Sequence, residues 1–353
     1  MRAIPGALAL ILTSMSETVA LSLASSRTTP LIIPTYSKST TLFPQPRRHN
    51  IRNLGSQMDA AAASSAVSGE DEVIPKKEGK DGGKLSFQTK YGRLNPFAIY
   101  YGTTAILLGL PWFVGLTLCK LFYKVTGERW DVNKRMPHFI SHLWGMTLLR
   151  LSRSYPKVEG KEILTEFFSH GDENRAAMFV ANHNSWMDIP FLGATVGIGQ
   201  NYKFVSKAEL IKVPILGTSI ACGGHVMVDR LNRRSQVTAV RNGMGWLKKG
   251  VHLCTFPEGT RSKNGRVLDF KNGAFKMAQK VGAPIIPLSI VGSFDAHPSN
   301  WMFPRKASVS TCKVVVHEPI ESSDLTEQEL SNLVKAAIIS GLPEEQHPIE
   351  LEE

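Results

Sequence analysis

The chain has 353 residues, 42% of them hydrophobic, which allows one large domain or two small ones around a buried core. A formal charge of +11 suits an anionic partner: nucleic acid, an acidic lipid surface or a phosphorylated substrate. No zinc-finger or RNP signature is present, so no nucleic acid is expected. Four scattered cysteines (Cys119, Cys222, Cys254 and Cys312) suggest neither a disulfide framework nor a metal site, and the default for them is buried free thiols.

In chain order, residues 1–90 read as a targeting leader and flexible linker. Up to Gln57 there is a single acidic residue, Glu17, among many Ser and Thr, with Arg2, Arg27, Arg47, Arg48 and Arg52 supplying positive charge. That pattern is expected of an organelle transit peptide, above all a plastid one. The apolar run Ile4 to Leu12 is too brief to span a bilayer and fits a signal-peptide core, which would make the leader bipartite.

Residues 91–155 are expected to associate with a membrane. Phe97 to Cys119 is uncharged and reaches the roughly 20 residues a bilayer crossing takes. Tyr100, Tyr101 and Trp112 suit headgroup depth. Pro111, Gly102, Gly109 and Gly115 are expected to break the segment into two halves. Basic residues flank both ends, so charge bias fixes no topology. A second, shorter apolar stretch, Phe139 to Leu151, is expected to lie at the interface.

Over 156–345 strands and helices alternate. Strands are expected at 176–181, Tyr202–Val205, His225–Val228, Val251–Phe256, Pro284–Val291 and Cys312–His317. Helices are expected over Ser235–Lys249 and Lys271–Val281, and from Thr326 to near Gly341, where Thr326 caps, Glu329 completes a capping box and Leu325 staples to Leu330. The alternation predicts an α/β fold with a mostly parallel sheet flanked by helices. Residues 346–353 form a tail.

Polar clusters follow the strands at His183, Arg230 and Glu258 to Arg261, and parallel sheets place sites beyond their carboxyl ends. An i, i+5 pair does not share a face of a straight helix. His183 and Asp188 meet if His183 precedes the helix and Asp188 lies in its first turns. Asp188 then accepts from one imidazole nitrogen and leaves the other as a base. Gly259 admits close backbone approach, Thr260 adds a hydroxyl and Arg261 offers a fork for phosphate. Lys207 can reach the same anion. Glu258 is expected to orient the turn or a substrate hydroxyl.

Together these blocks closely resemble the glycerolipid acyltransferases, and within them the 1-acyl-glycerol-3-phosphate acyltransferases. Asn182-His183-Asn184-Ser185-Trp186-Met187-Asp188 matches the first block. Gly224-His225-Val226-Met227-Val228-Asp229-Arg230 matches the second, with Met227 for the usual Phe. Phe256 to Ser262 is a complete Phe-Pro-Glu-Gly-Thr-Arg-Ser, and Ala283-Pro284-Ile285-Ile286-Pro287-Leu288 matches the fourth. The resemblance implies the corresponding fold and catalytic residues His183 and Asp188. It also implies substrate-binding residues Lys207, Arg230, Glu258, Gly259, Thr260 and Arg261, and no metal or cofactor. It implies acyl transfer from acyl-CoA or acyl carrier protein to the 2-hydroxyl of lysophosphatidate, at a membrane lipid surface.

The leader points to a plastid membrane, with the endoplasmic reticulum as the alternative address. Three other readings stay open here. One is the same chemistry on glycerol-3-phosphate or another lysophospholipid. The second is a lipid-binding protein that keeps the fold without activity. The third is a serine hydrolase acting through Ser185.

Overall fold

The computed structural model describes residues 85–170 and 175–349. The leader expected over 1–90 lies outside the described residues except for 85–90. The break drawn at residue 90 falls in the turn of a hairpin, β1 (Phe87–Thr89) and β2 (Gly92–Leu94). The hairpin is tied to the far end of the chain, where Arg93 N–H donates to the Asn300 carbonyl at 2.9 Å.

Helix α1 (Pro96–Thr126) starts where Asn95 accepts the Ala98 N–H and Pro96 fills the first turn, whose N–H groups have no helical partner. It runs unbroken through Pro111, against the expectation of two halves. An interior proline costs about 3 kcal/mol. Packing along α2 (Arg135–Leu151) outweighs it here, with Trp112 stacked on Trp144 at 4.3 Å beside the proline. Leu107, Leu110, Val114, Leu118, Leu121 and Val125, three or four residues apart, form an exposed stripe on α1. Met136, Phe139 and Leu143 extend the apolar surface on α2. The buried residues of α2, among them Met146, Leu148 and Leu149, belong to the core of the α/β part. The boundary at 155 therefore separates stretches of sequence but not packing units.

Strand β3 (Lys157–Glu159) and helix α3 (Lys161–His170) precede β4 (Met178–Ala181). Next come α4 (Asp188–Val196), β5 (Tyr202–Lys207), α5 (Leu216–Gly223) and β6 (Val226–Val228). Helix α6 (Arg233–Leu247), capped by Asn232, leads to β7 (His252–Thr255). The chain closes with α7 (Gly273–Val281), β8 (Ile285–Val291), α8 (Ser293–Ala296), β9 (Lys313–Val316) and α9 (Glu327–Ser340). Thr326 and Glu329 form the capping box expected of them.

Seven strands lie in the order β3-β9-β8-β4-β7-β5-β6. Five are parallel, and β9 pairs antiparallel to β8 with β3 alongside it. Strands buried on both faces explain the near-continuous apolar runs. On one face Phe179, Phe191, Leu192 and Leu148 pack with α2 and α4; on the other Val180, Phe275, Met277 and Val334 pack with α6, α7 and α9. The chain leaves β4 toward β5 and leaves β7 toward β8, so the switch point falls between neighbours β4 and β7. Tail residues Gln346 and His347 are held by the 266–267 loop. The thiols of Cys119, Cys254 and Cys312 are buried and unpaired, and Cys222 is partly exposed.

Candidate active site

Asn182 fixes the exit from β4. Its side chain continues the ladder as a peptide would: Nδ2 donates to the Ile290 carbonyl at 3.0 Å and Oδ1 accepts the Ile290 N–H at 2.8 Å. His183 then turns out of the sheet, and Asp188 opens α4. Asp188 is fully buried, and its Oδ2 accepts from the His183 ring at 2.8 Å and from the N–H groups of Asn184 at 2.7 Å and Ser185 at 2.8 Å. The local geometry is the one the spacing requires. A carboxylate oxygen only accepts, so in the neutral ring Nδ1 is the donor to Asp188 and Nε2 the acceptor nitrogen.

The loop leaving β7 clasps the same histidine. Glu258 Oε1 accepts the His183 N–H at 2.8 Å, and the Ser262 N–H donates to the His183 carbonyl at 2.8 Å. The Phe256 ring stacks on the imidazole at 4.0 Å and 14°. Glu258 is 2% exposed and also accepts the Leu268 N–H. Burial pushes its carboxyl up to about 8, against those two hydrogen bonds. It holds the turn; of the two roles expected for it, a substrate contact finds no exposed surface. Gly259 has φ of +75°, the left-handed region that favours glycine, and Thr260 and Arg261 are exposed beyond it.

Lys207 ends β5 and Arg230 follows β6, so both emerge at the same edge of the sheet. Desolvation and then Arg230 hold the Lys207 ammonium below its ordinary range, with Arg261 and Lys271 adding to the effect and Glu209 opposing it. Four cations thus share one field. Among the described residues, no carboxylate closes an ion pair with any of them. Lys271 was not expected here. Its N–H donates to the Pro257 carbonyl, and its ammonium lies 3.3 Å from where a Cβ on Gly259 would stand.

A second unexpected residue is His297, whose Nδ1 meets the Ser185 hydroxyl at 3.1 Å and whose Nε2 meets the Trp301 carbonyl at 3.1 Å. Burial, then Arg261, push this imidazole down to about 4, so it is neutral at working pH. Arg261 and Asp188 act on this imidazole in opposite senses, the guanidinium lowering and the carboxylate raising it. His297 caps the end of α8, six residues past the end of β8, so the strand-end reasoning that nominated His183 does not reach it.

The Acyltransferase family model matches residues 156–291. A chloroplastic 1-acyl-sn-glycerol-3-phosphate acyltransferase of Brassica napus is 32% identical over 67% of this chain and 64% of its own length. A chloroplastic counterpart from Arabidopsis thaliana is 31% identical over 64% and 58%. A 1-acyl-sn-glycerol-3-phosphate acyltransferase from Chlamydomonas reinhardtii is 30% identical over 70% of each chain. The chain belongs to the glycerolipid acyltransferase family. The crystal structure of the 1-acyl-sn-glycerophosphate acyltransferase PlsC from Thermotoga maritima matches with a TM-score of 0.51 and 27% identity, over 68% of this chain and 95% of that one. The match with the Brassica and Arabidopsis acyltransferases thus spans less than two thirds of their length.

Proposed function

We propose that the protein transfers a fatty acyl group from an acyl thioester to the sn-2 hydroxyl of 1-acylglycerol-3-phosphate, giving phosphatidate. The observation that carries this reading is a hydrogen-bonded His–Asp pair following β4, together with Lys207, Arg230, Arg261 and Lys271, which act on one another and close no ion pair among the described residues. His183 Nε2 takes the hydroxyl proton as that oxygen bonds the acyl carbon. The carbon–sulfur bond breaks, and the leaving thiolate recovers the proton from His183. Asp188 stabilises the transient imidazolium. Proton transfer of this kind contributes roughly 10²–10⁴-fold.

Arg261, with Thr260, Gly259 and Lys207, holds the acceptor phosphate, Arg230 extends that field, and Glu258 keeps the loop in place. Ser185 is 1% exposed and its hydroxyl accepts the Met187 N–H, which disfavours an acyl-serine route. A cavity of about 150 Å³ between α2 and β5, lined by Trp144, Ile189, Phe204 and Leu216, offers an acyl chain an apolar berth. The exposed stripe of α1 seats the protein on a bilayer, and the leader addresses it to a plastid membrane.

The test is turnover of the full chain in lipid vesicles with lysophosphatidate, glycerol-3-phosphate and lysophosphatidylcholine as acceptors. Acyl-CoA and acyl carrier protein serve as donors. Lysophosphatidate is expected to give the highest kcat/KM. Preference for glycerol-3-phosphate overturns the acceptor, and a trapped acyl-Ser185 overturns direct transfer.

A further inference from the structure

A separate cavity of about 220 Å³ opens on the opposite face of the sheet from the apolar berth. Strand alternation sets the two apart: Phe204 and Ser206 line the first, whereas Val205, between them, lines the second. Its floor is apolar, formed by Val205, Val228, Val240 and Met277, and Arg230 and Lys271 are its cations. Arg261 and Lys207 do not line it, although Pro257 and Gly259 of the loop before Arg261 do, so the cavity adjoins the acceptor loop from this face. Phe256 borders it, and the Phe256 ring stacks on His183. The start of α7 reaches it through Gly273 and has no acidic residue in its first turn.

Charge counting gives the four cations more than one task. A phosphate monoester carries about −1.5 to −2 at neutral pH. Arg261 and Lys207 suffice to offset it, which leaves Lys271 unspent and lets Arg230, at the border of that field, serve a second anion. The reaction has one other anionic substrate, the thioester donor. In coenzyme A and in carrier protein alike, the thiol sits at the end of a slim pantetheine arm that ends in a phosphate. Residues 230–257, which run past this cavity, contain Arg230, Arg233, Arg234, Arg241, Lys248 and Lys249 and no Asp or Glu.

Resting on the acyl-transfer reading, we propose that this cavity holds the phosphopantetheine arm of the acyl donor, with Lys271 and Arg230 gripping its phosphate. The thioester then reaches His183 past Phe256, from the other side of the sheet to the acyl berth.

The experiment compares acyl-phosphopantetheine with acyl-pantetheine, which lacks the phosphate, in wild type, K271Q, K271R and the K271Q/R230Q pair, all as full chains in vesicles. Wild type is expected to favour the phosphorylated donor. K271Q is expected to raise its KM roughly tenfold, the loss of one charge-assisted contact. The same variant leaves the KM for acyl-pantetheine unchanged, K271R restores the preference, and the double variant abolishes it.

An unchanged donor KM, or a rise only in the lysophosphatidate KM, overturns the proposal while acyl transfer stands. A wild type inert toward every donor overturns acyl transfer itself. Two further arms separate the sources of the arm: R233E/R241E is expected to raise KM for acyl carrier protein alone if the natural donor is a protein. Equal effects on acyl-CoA mean the natural donor is the free thioester.

Discussion

At one end of the candidate site Asp188 is fully buried, and a single carboxylate oxygen takes three hydrogen bonds, one from His183. At the other end Thr260 and Arg261 are exposed, and no carboxylate among the described residues pairs with Lys207, Arg230, Arg261 or Lys271. The contrast follows from the two tasks. A base must stay within hydrogen-bond reach of the proton it takes, so its turn is bonded from several sides. A site for an anion must leave its charge uncommitted, because an internal partner would compete with the ligand.

The contrast breaks most visibly at His183. H183A is expected to lower acyl transfer by about 10²–10⁴-fold while the protein still melts cooperatively, as initial rates and thermal melts on the same preparation would show. Turnover near the wild-type rate would remove His183 from the chemistry. D188N keeps an oxygen able to accept all three hydrogen bonds but loses the charge. Loss of one charge-assisted bond of about 1.5–3 kcal/mol lowers kcat by roughly 10–150-fold. Little change in melting temperature is expected, since a buried charge leaves with it.

R261A acts at the other end. The lysophosphatidate KM should rise about tenfold with a smaller change in kcat, and added salt should weaken acceptor binding in wild type more than in the variant. An unchanged KM would take the phosphate away from Arg261.

Glu258 belongs to the anion loop in sequence but to the rigid end in structure, and its effect falls on stability rather than on turnover. Burial raises its carboxyl from an ordinary 4.5 to about 8. Below about 4.5 both the folded and unfolded chains hold this proton. Between the two values only the folded chain keeps it, so stability falls as pH rises across that window and levels off above it. Melting temperatures of E258Q are expected to gain on wild type from pH 5 to pH 8. Parallel curves would show that this carboxyl is not the titrating group.

Much of the site was legible because it is local. His183 and Asp188 are five residues apart, and the strand before them and the helix after them are set by neighbouring side chains. The apolar runs at Met178, His252 and Ile285 read as strands because parallel strands are covered on both faces. Pro111 misled for the converse reason: its intrinsic cost is local, whereas the stacking of Trp112 on Trp144 that outweighs it joins two helices. The hairpin over 87–94 was missed because it is short and is anchored through Arg93 to the distant Asn300 and Met302.

By itself, then, the sequence determined which chemical groups are present and which strand or turn carries each, since spacing and side-chain character act over a few residues. Only the tertiary structure decided that Glu258 faces inward to His183, that His297 reaches Ser185, and that Lys271 and Arg230 line a cavity apart from Arg261. Those relations depend on the order of strands in the sheet and on which face each residue meets. Both are fixed by burial of the whole core, which no short stretch of chain encodes.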